Sequence, residues 1–131
     1  MKIPYNRTRL FFTSELPGVL CDPPLQFEFA ASPSFEVLMD ISKWLKNPQW
    51  EETKRLAAIL IVGVVVPDGT RHELGTPELI EELAAETDRA FIGNLINGWN
   101  TRISLERITE LKKNRVMSEH FTETNSAKIQ A

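Results

Sequence analysis

The distribution of proline most strongly limits how this chain can fold. Half of its eight prolines lie within the first 32 residues: Pro4, Pro17, Pro23 and Pro24. Because proline lacks a backbone donor and breaks helices, this stretch is predicted to form strands and turns. Residues 9–13 are rich in strand formers, and residues 25–29 alternate apolar with polar side chains. We expect two short strands there, either paired as a hairpin or flanking a third strand.

Helical patterns begin after these strands. Residues 32–33 are a serine that can cap a helix and a proline that suits its first turn, and apolar residues then recur at helical spacing. This pattern predicts a helix over residues 33–46. The Asn-Pro pair at 47–48 repeats the start signal, so a second helix is predicted, with a deeply buried apolar second half at residues 56–62.

The character of the chain changes at Gly63. Residues 64–66 are three valines, whose branched side chains favour an extended backbone. Residues 67–69, Pro-Asp-Gly, suit a tight turn, because proline presets one dihedral angle and glycine accepts a positive one. We predict a short hairpin in which residues 70–74 form the returning strand.

Further helices are predicted in the second half of the chain. One begins at the Thr-Pro-Glu cap of residues 76–78 and ends near Glu86. The next begins near residue 87, and its apolar positions fall on one face. These positions are Ile92, Leu95, Ile96, Trp99 and Ile103.

The apolar stripe changes phase after these positions. A different stripe follows, made of Leu105, Ile108 and Leu111. We therefore predict a break at residues 97–98, Asn-Gly, or at residues 100–101, Asn-Thr, and a final helix over 102–114. From Ser118 onward the residues are mostly polar.

Together these patterns predict an α+β fold. It is mainly helical, with four to five helices and a small β element built from the N-terminal strands and the central hairpin. The length of 131 residues suits one domain. We place that domain at residues 1–117 and predict a disordered tail at residues 118–131.

Charge and composition argue against several kinds of partner. The 18 acidic and 15 basic residues are interleaved and give a net charge of -3, so the clustered basic surface that nucleic acid requires is not expected. The longest apolar run, residues 56–66, is much shorter than the roughly 20 residues that cross a bilayer. The single Cys21 and the absence of a signal-like N-terminus favour a reducing cytoplasm.

The reactive residue types do not form a recognisable catalytic pattern. Cys21 needs a base to act as a nucleophile, and the chain contains two histidines, His72 and His120. Neither belongs to a spacing typical of zinc sites, and the glycines are scattered, without a phosphate-binding loop. We therefore predict no enzyme activity, metal or cofactor. A small-molecule-binding or enzymatic domain that uses Cys21 or His72 is the competing interpretation.

The tryptophans have two possible roles. Aromatic side chains can anchor a protein interface, because they bury a large area at low entropic cost, or they can pack in the core. Trp44 and Trp99 lie on or beside apolar stripes, which favours the core, whereas Trp50 at a helix start suits either role.

The central segment combines several features in a fixed order. An apolar helix leads into Val62-Gly63-Val64-Val65-Val66, and the turn Asp68-Gly69 follows. After the turn come the cap Thr76-Pro77-Glu78-Leu79-Ile80, then Leu83, and finally Ala90-Phe91-Ile92 with Leu95. In this order and spacing, residues 60–95 resemble the tail assembly chaperones of long-tailed bacteriophages and prophages.

The resemblance implies a protein-binding role in the bacterial cytoplasm. Members of this family bind the long helical tape measure protein, prevent its aggregation, help to recruit tail tube subunits and leave before the tail is finished. Self-association is a further expectation. We take Trp50, Phe91, Leu95 and Trp99 as candidate partner-binding residues. The alternatives are a structural virion component, such as a head-tail connector or tail terminator, and another non-enzymatic protein-binding adaptor.

Overall fold

The computed structural model describes residues 7–130, with side chains described for residues 7–115. The strands are β1 (Thr8–Phe12), β2 (Gln26–Ala30), β3 (Ile61–Val65) and β4 (Arg71–Glu73), and the helices are α1 (Phe35–Lys46), α2 (Trp50–Leu60), α3 (Pro77–Glu86) and α4 (Arg89–Gln130). The predicted α+β, mainly helical fold is confirmed. Pro4 and the side chain of His120 lie outside the described residues.

The four strands form one antiparallel sheet in the order β1-β2-β3-β4. The N-terminal strands pair with each other, and β2 also pairs with β3. The central hairpin connects β3 to β4 through a turn in which Gly69 has a φ of 91°. Glycine adopts this left-handed conformation without strain. The N-terminal strands and the hairpin therefore combine into the predicted β element.

One face of the sheet forms part of the core. Phe11, Phe27 and Val64 lie side by side in the register of β1, β2 and β3. Phe27 and Phe29 are fully buried, as the alternation of residues 25–29 predicts. Trp99 of α4 stacks on Phe29 with ring centroids 5.9 Å apart. Burying each side chain of this size stabilises the fold by about 1.5–3 kcal/mol.

The starts of α1 and α3 are set by side-chain caps. The Ser34 hydroxyl accepts a hydrogen bond from the backbone N–H of Val37 at 3.3 Å, so α1 begins two residues later than residue 33. The Thr76 hydroxyl accepts from Leu79 N–H at 3.2 Å, and α3 ends at Glu86, as predicted. Each cap satisfies a backbone donor that the helix itself leaves unpaired.

The second helix passes directly into a strand. α2 ends at Leu60 and β3 begins at Ile61, without a connecting residue. The predicted helix end at residue 62 is therefore too late by two residues. Ile61 and Val62 are β-branched, which favours the extended backbone once their side chains meet the sheet.

The structure corrects the predicted break within the second half of the chain. α4 is continuous from Arg89, so no break occurs at residues 97–98 or 100–101, and residues 102–114 belong to the same helix. Gly98 has a packing role. A Cβ atom at this position would lie 2.9 Å from the carbonyl oxygen of Pro17, so glycine allows the loop before β2 to approach the helix.

The backbone of α4 is helical to Gln130. The domain boundary at residue 117 and the disordered tail over residues 118–131 stay predictions. Among the described residues, no helix is both long enough and apolar enough to cross a bilayer.

Candidate protein-binding groove

A groove separates the α1–α2 turn from the first turns of α4. Its volume is about 440 Å³. The α1–α2 side is formed by Leu45, Pro48 and Trp50, the α4 side by Arg89, Ala90, Gly93, Asn94 and Asn97, and the floor by Trp44 and Thr53. We call this site the Trp50 groove.

The floor of the groove is fixed by buried hydrogen bonds. The indole N–H of Trp44 donates to the Thr53 hydroxyl oxygen at 2.6 Å, and that hydroxyl donates to the carbonyl oxygen of Gln49 at 2.8 Å. Trp44 and Thr53 are both 5% exposed. A buried polar group without a partner is costly, so this chain of bonds holds the Trp44 ring in one orientation.

Trp50 forms one wall and is only partly buried. Pro48 and the extended Gln49 precede it, so the ring stands at the first position of α2. The guanidinium carbon of Arg89 lies 4.8 Å from the ring centroid, which is a cation–π distance. The indole N–H donates to Glu81 Oε2 at 3.3 Å. Residues from two other helices, α3 and α4, therefore hold Trp50 in place.

Glu81 connects the charges around this wall. Its carboxylate lies 3.2 Å from Lys54 Nζ and 3.9 Å from an Arg89 terminal nitrogen. The hydrogen bond from Lys54 lowers the pKa of Glu81, and the N–H of Trp50 acts in the same direction. The carboxylate is therefore ionised at neutral pH, accepts hydrogen bonds from Lys54 and Trp50, and attracts Arg89 at a longer distance.

The opposite wall is one side of α4. Gly93 faces the Trp44 ring, and a Cβ atom at this position would lie 3.6 Å from the ring, an ordinary contact distance. Asn94 and Asn97 are exposed and lie one helical turn apart. The groove thus combines aromatic and apolar surface with two amides that can pair with a partner's backbone or side chains.

The four candidate partner-binding residues occupy different environments. Trp50 lines the groove. Phe91 is partly buried, with its ring centroid 6.1 Å from that of Phe27. Leu95 and Trp99 are 0% and 2% exposed, so both are core residues and neither reaches the surface. A buried side chain cannot contact a partner unless the core opens. Leu95 and Trp99 are therefore not part of the surface that a partner could contact.

The sequence interpretation missed Arg89, Asn94 and Asn97. Both asparagines are polar positions beside the apolar stripe of α4, a signal that marks an exposed helix side without indicating what faces it. Arg89 carries no such signal. Its role depends on Trp50, which is far away in the sequence.

A larger concavity, of about 790 Å³, lies on the second face of the sheet. Its charged residues are already paired. Arg71 lies across Gly63, and its guanidinium donates to Glu28 at 2.9 Å and to Glu73 at 2.5 Å. Arg71 is already paired with two carboxylates, so we favour the Trp50 groove as the binding site.

The possible reactive residues lie on different elements. His72 is exposed on β4, whereas Cys21 lies in the segment before β2 and its thiol donates to the Pro23 carbonyl oxygen at 3.4 Å. Within the described residues, no group of three His, Cys, Asp or Glu side chains is arranged to hold a metal ion.

Comparison with known proteins finds no relative of this chain. No family model matches it, and no curated protein and no solved structure is significantly similar to it.

Proposed function

We propose that the protein is a tail assembly chaperone that binds a helical tape measure protein through the Trp50 groove. It acts without catalysis, in the cytoplasm of a bacterial host, and the tail tube protein is a second proposed partner. Its role is to cover apolar helix surface on the tape measure protein until the tail assembles.

One observation carries this proposal. Trp50 stands partly exposed at a groove between helices and is held there by Arg89 and Glu81. An ordered aromatic side chain loses little entropy on binding, and a groove between helices suits the apolar face of another helix. The resemblance of residues 60–95 to tail assembly chaperones supplies the identity of the partner.

The test uses the tape measure protein encoded beside this chain's gene. We would co-express the two and measure how much tape measure protein stays soluble. The natural chain is expected to keep it soluble, and Trp50→Ala should remove most of this effect because the groove loses its aromatic wall. Phe35→Ala is the matched control, since Phe35 is 77% exposed and does not line the groove.

Equal solubility with natural chain and Trp50→Ala would contradict the proposed site. No effect of the natural chain would contradict the chaperone function. Purified phage particles provide a further test, because a chaperone is absent from finished tails, whereas a connector or terminator is retained in them.

A further inference from the structure

α4 carries two apolar stripes on opposite sides. The inner stripe includes Ile92, Leu95 and Trp99, each at most 2% exposed. The outer stripe consists of Leu105, Ile108 and Leu111, which are 52%, 48% and 61% exposed. Ile108 follows Trp99 by nine residues, about two and a half turns at 3.6 residues per turn, so the outer stripe faces away from the core.

An ion-pair cluster fixes this orientation. The Glu106 carboxylate accepts hydrogen bonds from two terminal nitrogens of Arg9 at 2.6 and 2.7 Å and from Arg102 Nε at 3.0 Å. Arg9 belongs to β1, so the cluster holds one side of α4 against the edge of the sheet. The outer stripe is thereby presented to solvent.

The outer stripe continues the α4 wall of the Trp50 groove. Along one line of the helix, at intervals of three or four residues, lie Ala90, Asn94, Asn97, Thr101, Leu105 and Ile108. From Ala90 to Ile108 this line is about 27 Å long at 1.5 Å per residue. We call the Trp50 groove and the outer stripe together the α4 track.

The exposed end of the α4 track has a basic margin. Lys112 follows Ile108 by one turn on the same line, and Arg107 lies one turn before Leu111. Glu106 and Glu110 lie across α4 from Ile108, where Glu106 is bound to Arg9. Within the outer stripe, Leu105 borders the concavity that these two residues line together with Lys113. The whole chain has a net charge of -3, so this basic margin is a local feature.

We propose that the α4 track binds one amphipathic helix of another protein, about 20 residues long, whose apolar stripe is flanked by Asp and Glu. This inference rests on the proposed function, because it assumes that the Trp50 groove binds a helix. It adds to that function the length and the charge of the bound helix. A second copy of this chain fits less well, because pairing two α4 helices brings their basic margins together.

The first experiment compares two labelled helical peptides of about 21 residues with the same leucine stripe. Glu flanks the stripe in one peptide and Lys in the other. By fluorescence anisotropy, the full chain should bind the acidic peptide at least about tenfold more tightly, and the difference should shrink in about 0.5 M salt. Equal affinities, or no binding of the acidic peptide, would overturn the proposal.

The second experiment maps the contact. The double variant Leu105→Gln, Ile108→Gln should bind the acidic peptide at least about tenfold more weakly, and glutamine preserves helix propensity. Leu20→Gln is the control, because Leu20 is 92% exposed outside the track. Charge reversal by Arg107→Glu with Lys112→Glu should favour the basic peptide. Unchanged affinities in these variants would exclude the outer stripe as the binding surface.

Two results separate this inference from the proposed function. If Trp50→Ala loses tape measure solubilisation while the double variant binds the acidic peptide normally, the function stands and the α4 track fails. Sedimentation of the purified chain gives the second result: a dimer that the double variant dissociates would assign the outer stripe to a second copy and overturn the proposal.

Discussion

The early and later turns of α4 carry large apolar side chains at similar spacing but bury them to opposite extents. Trp99 is 2% exposed and Leu111 is 61% exposed, although one continuous helix contains both. The difference arises from a change of phase, since the inner stripe ends near Ile103 and the outer stripe begins at Leu105. An apolar stripe therefore stabilises the fold only where it faces the sheet, and elsewhere it provides a surface.

The strongest test of this contrast is Trp99→Ala. Removing the ring that stacks on Phe29 leaves a cavity in the core, so the free energy of unfolding should fall by about 3–5 kcal/mol. Urea denaturation followed by circular dichroism measures this change. A loss below about 1 kcal/mol would show that the early turns of α4 are not the stabilising half.

A pair of glycine variants sharpens the contrast within the buried half. Gly98→Ala should destabilise by about 1–3 kcal/mol, because its Cβ atom would lie 2.9 Å from the Pro17 carbonyl oxygen. Gly93→Ala should stabilise by up to about 1 kcal/mol, since its Cβ atom has room and alanine favours the helix. Thermal unfolding of both variants checks the opposite signs, and a neutral or stabilising effect of Gly98→Ala would refute the packing role of Gly98.

A pH series tests the ion-pair cluster of Arg9, Arg102 and Glu106, which lies between the buried and the exposed turns of α4. Hydrogen bonds from Arg9, with Arg102 contributing, lower the pKa of Glu106 from 4.5 to about 2. The stabilisation by the ionised carboxylate is therefore complete above pH 4.5 and is lost as the pH falls towards 2. Glu106→Gln should cost up to about 1 kcal/mol at neutral pH, because the pair is partly exposed.

Urea titrations of the natural chain and Glu106→Gln at successive pH values provide the measurement. The difference in unfolding free energy should vanish at the acid end of the series. A difference that stays constant across the range would assign the effect of the substitution to packing.

The smallest effect is expected from Leu111→Ala. This side chain faces solvent, so the free energy of unfolding should change by less than about 0.5 kcal/mol. Differential scanning calorimetry beside the Trp99→Ala variant checks the comparison directly. A large loss of unfolding free energy would mean that the later turns of α4 also pack against the rest of the domain.

The features that the sequence predicts well depend on neighbouring residues. Alternation identifies Phe27 and Phe29 as buried, and the cap of α3 at Thr76 follows from the residue type and the proline after it. These signals act over a few residues, so they survive in the folded chain.

The features that sequence reasoning missed depend on contacts between distant residues. Gly98 resembles a helix break in isolation, but its contact with Pro17 decides its role. The setting of Trp50 likewise requires Glu81 and Arg89, which belong to other helices. Leu95 was placed on a partner surface because an amphipathic stripe does not show whether the core or a partner covers it.

The direct passage from Leu60 of α2 to Ile61 of β3 limits where this chain can change in length. Inserting or deleting one residue there would rotate the helix by about 100° or exchange the two faces of the strand. Exchanging the strand faces would expose Ile61 and Val64, which are buried, and turn the partly exposed Val62 and Val65 towards the core. An insertion beside Leu20, which is 92% exposed in the connection between β1 and β2, should therefore cost less than one at the α2–β3 junction.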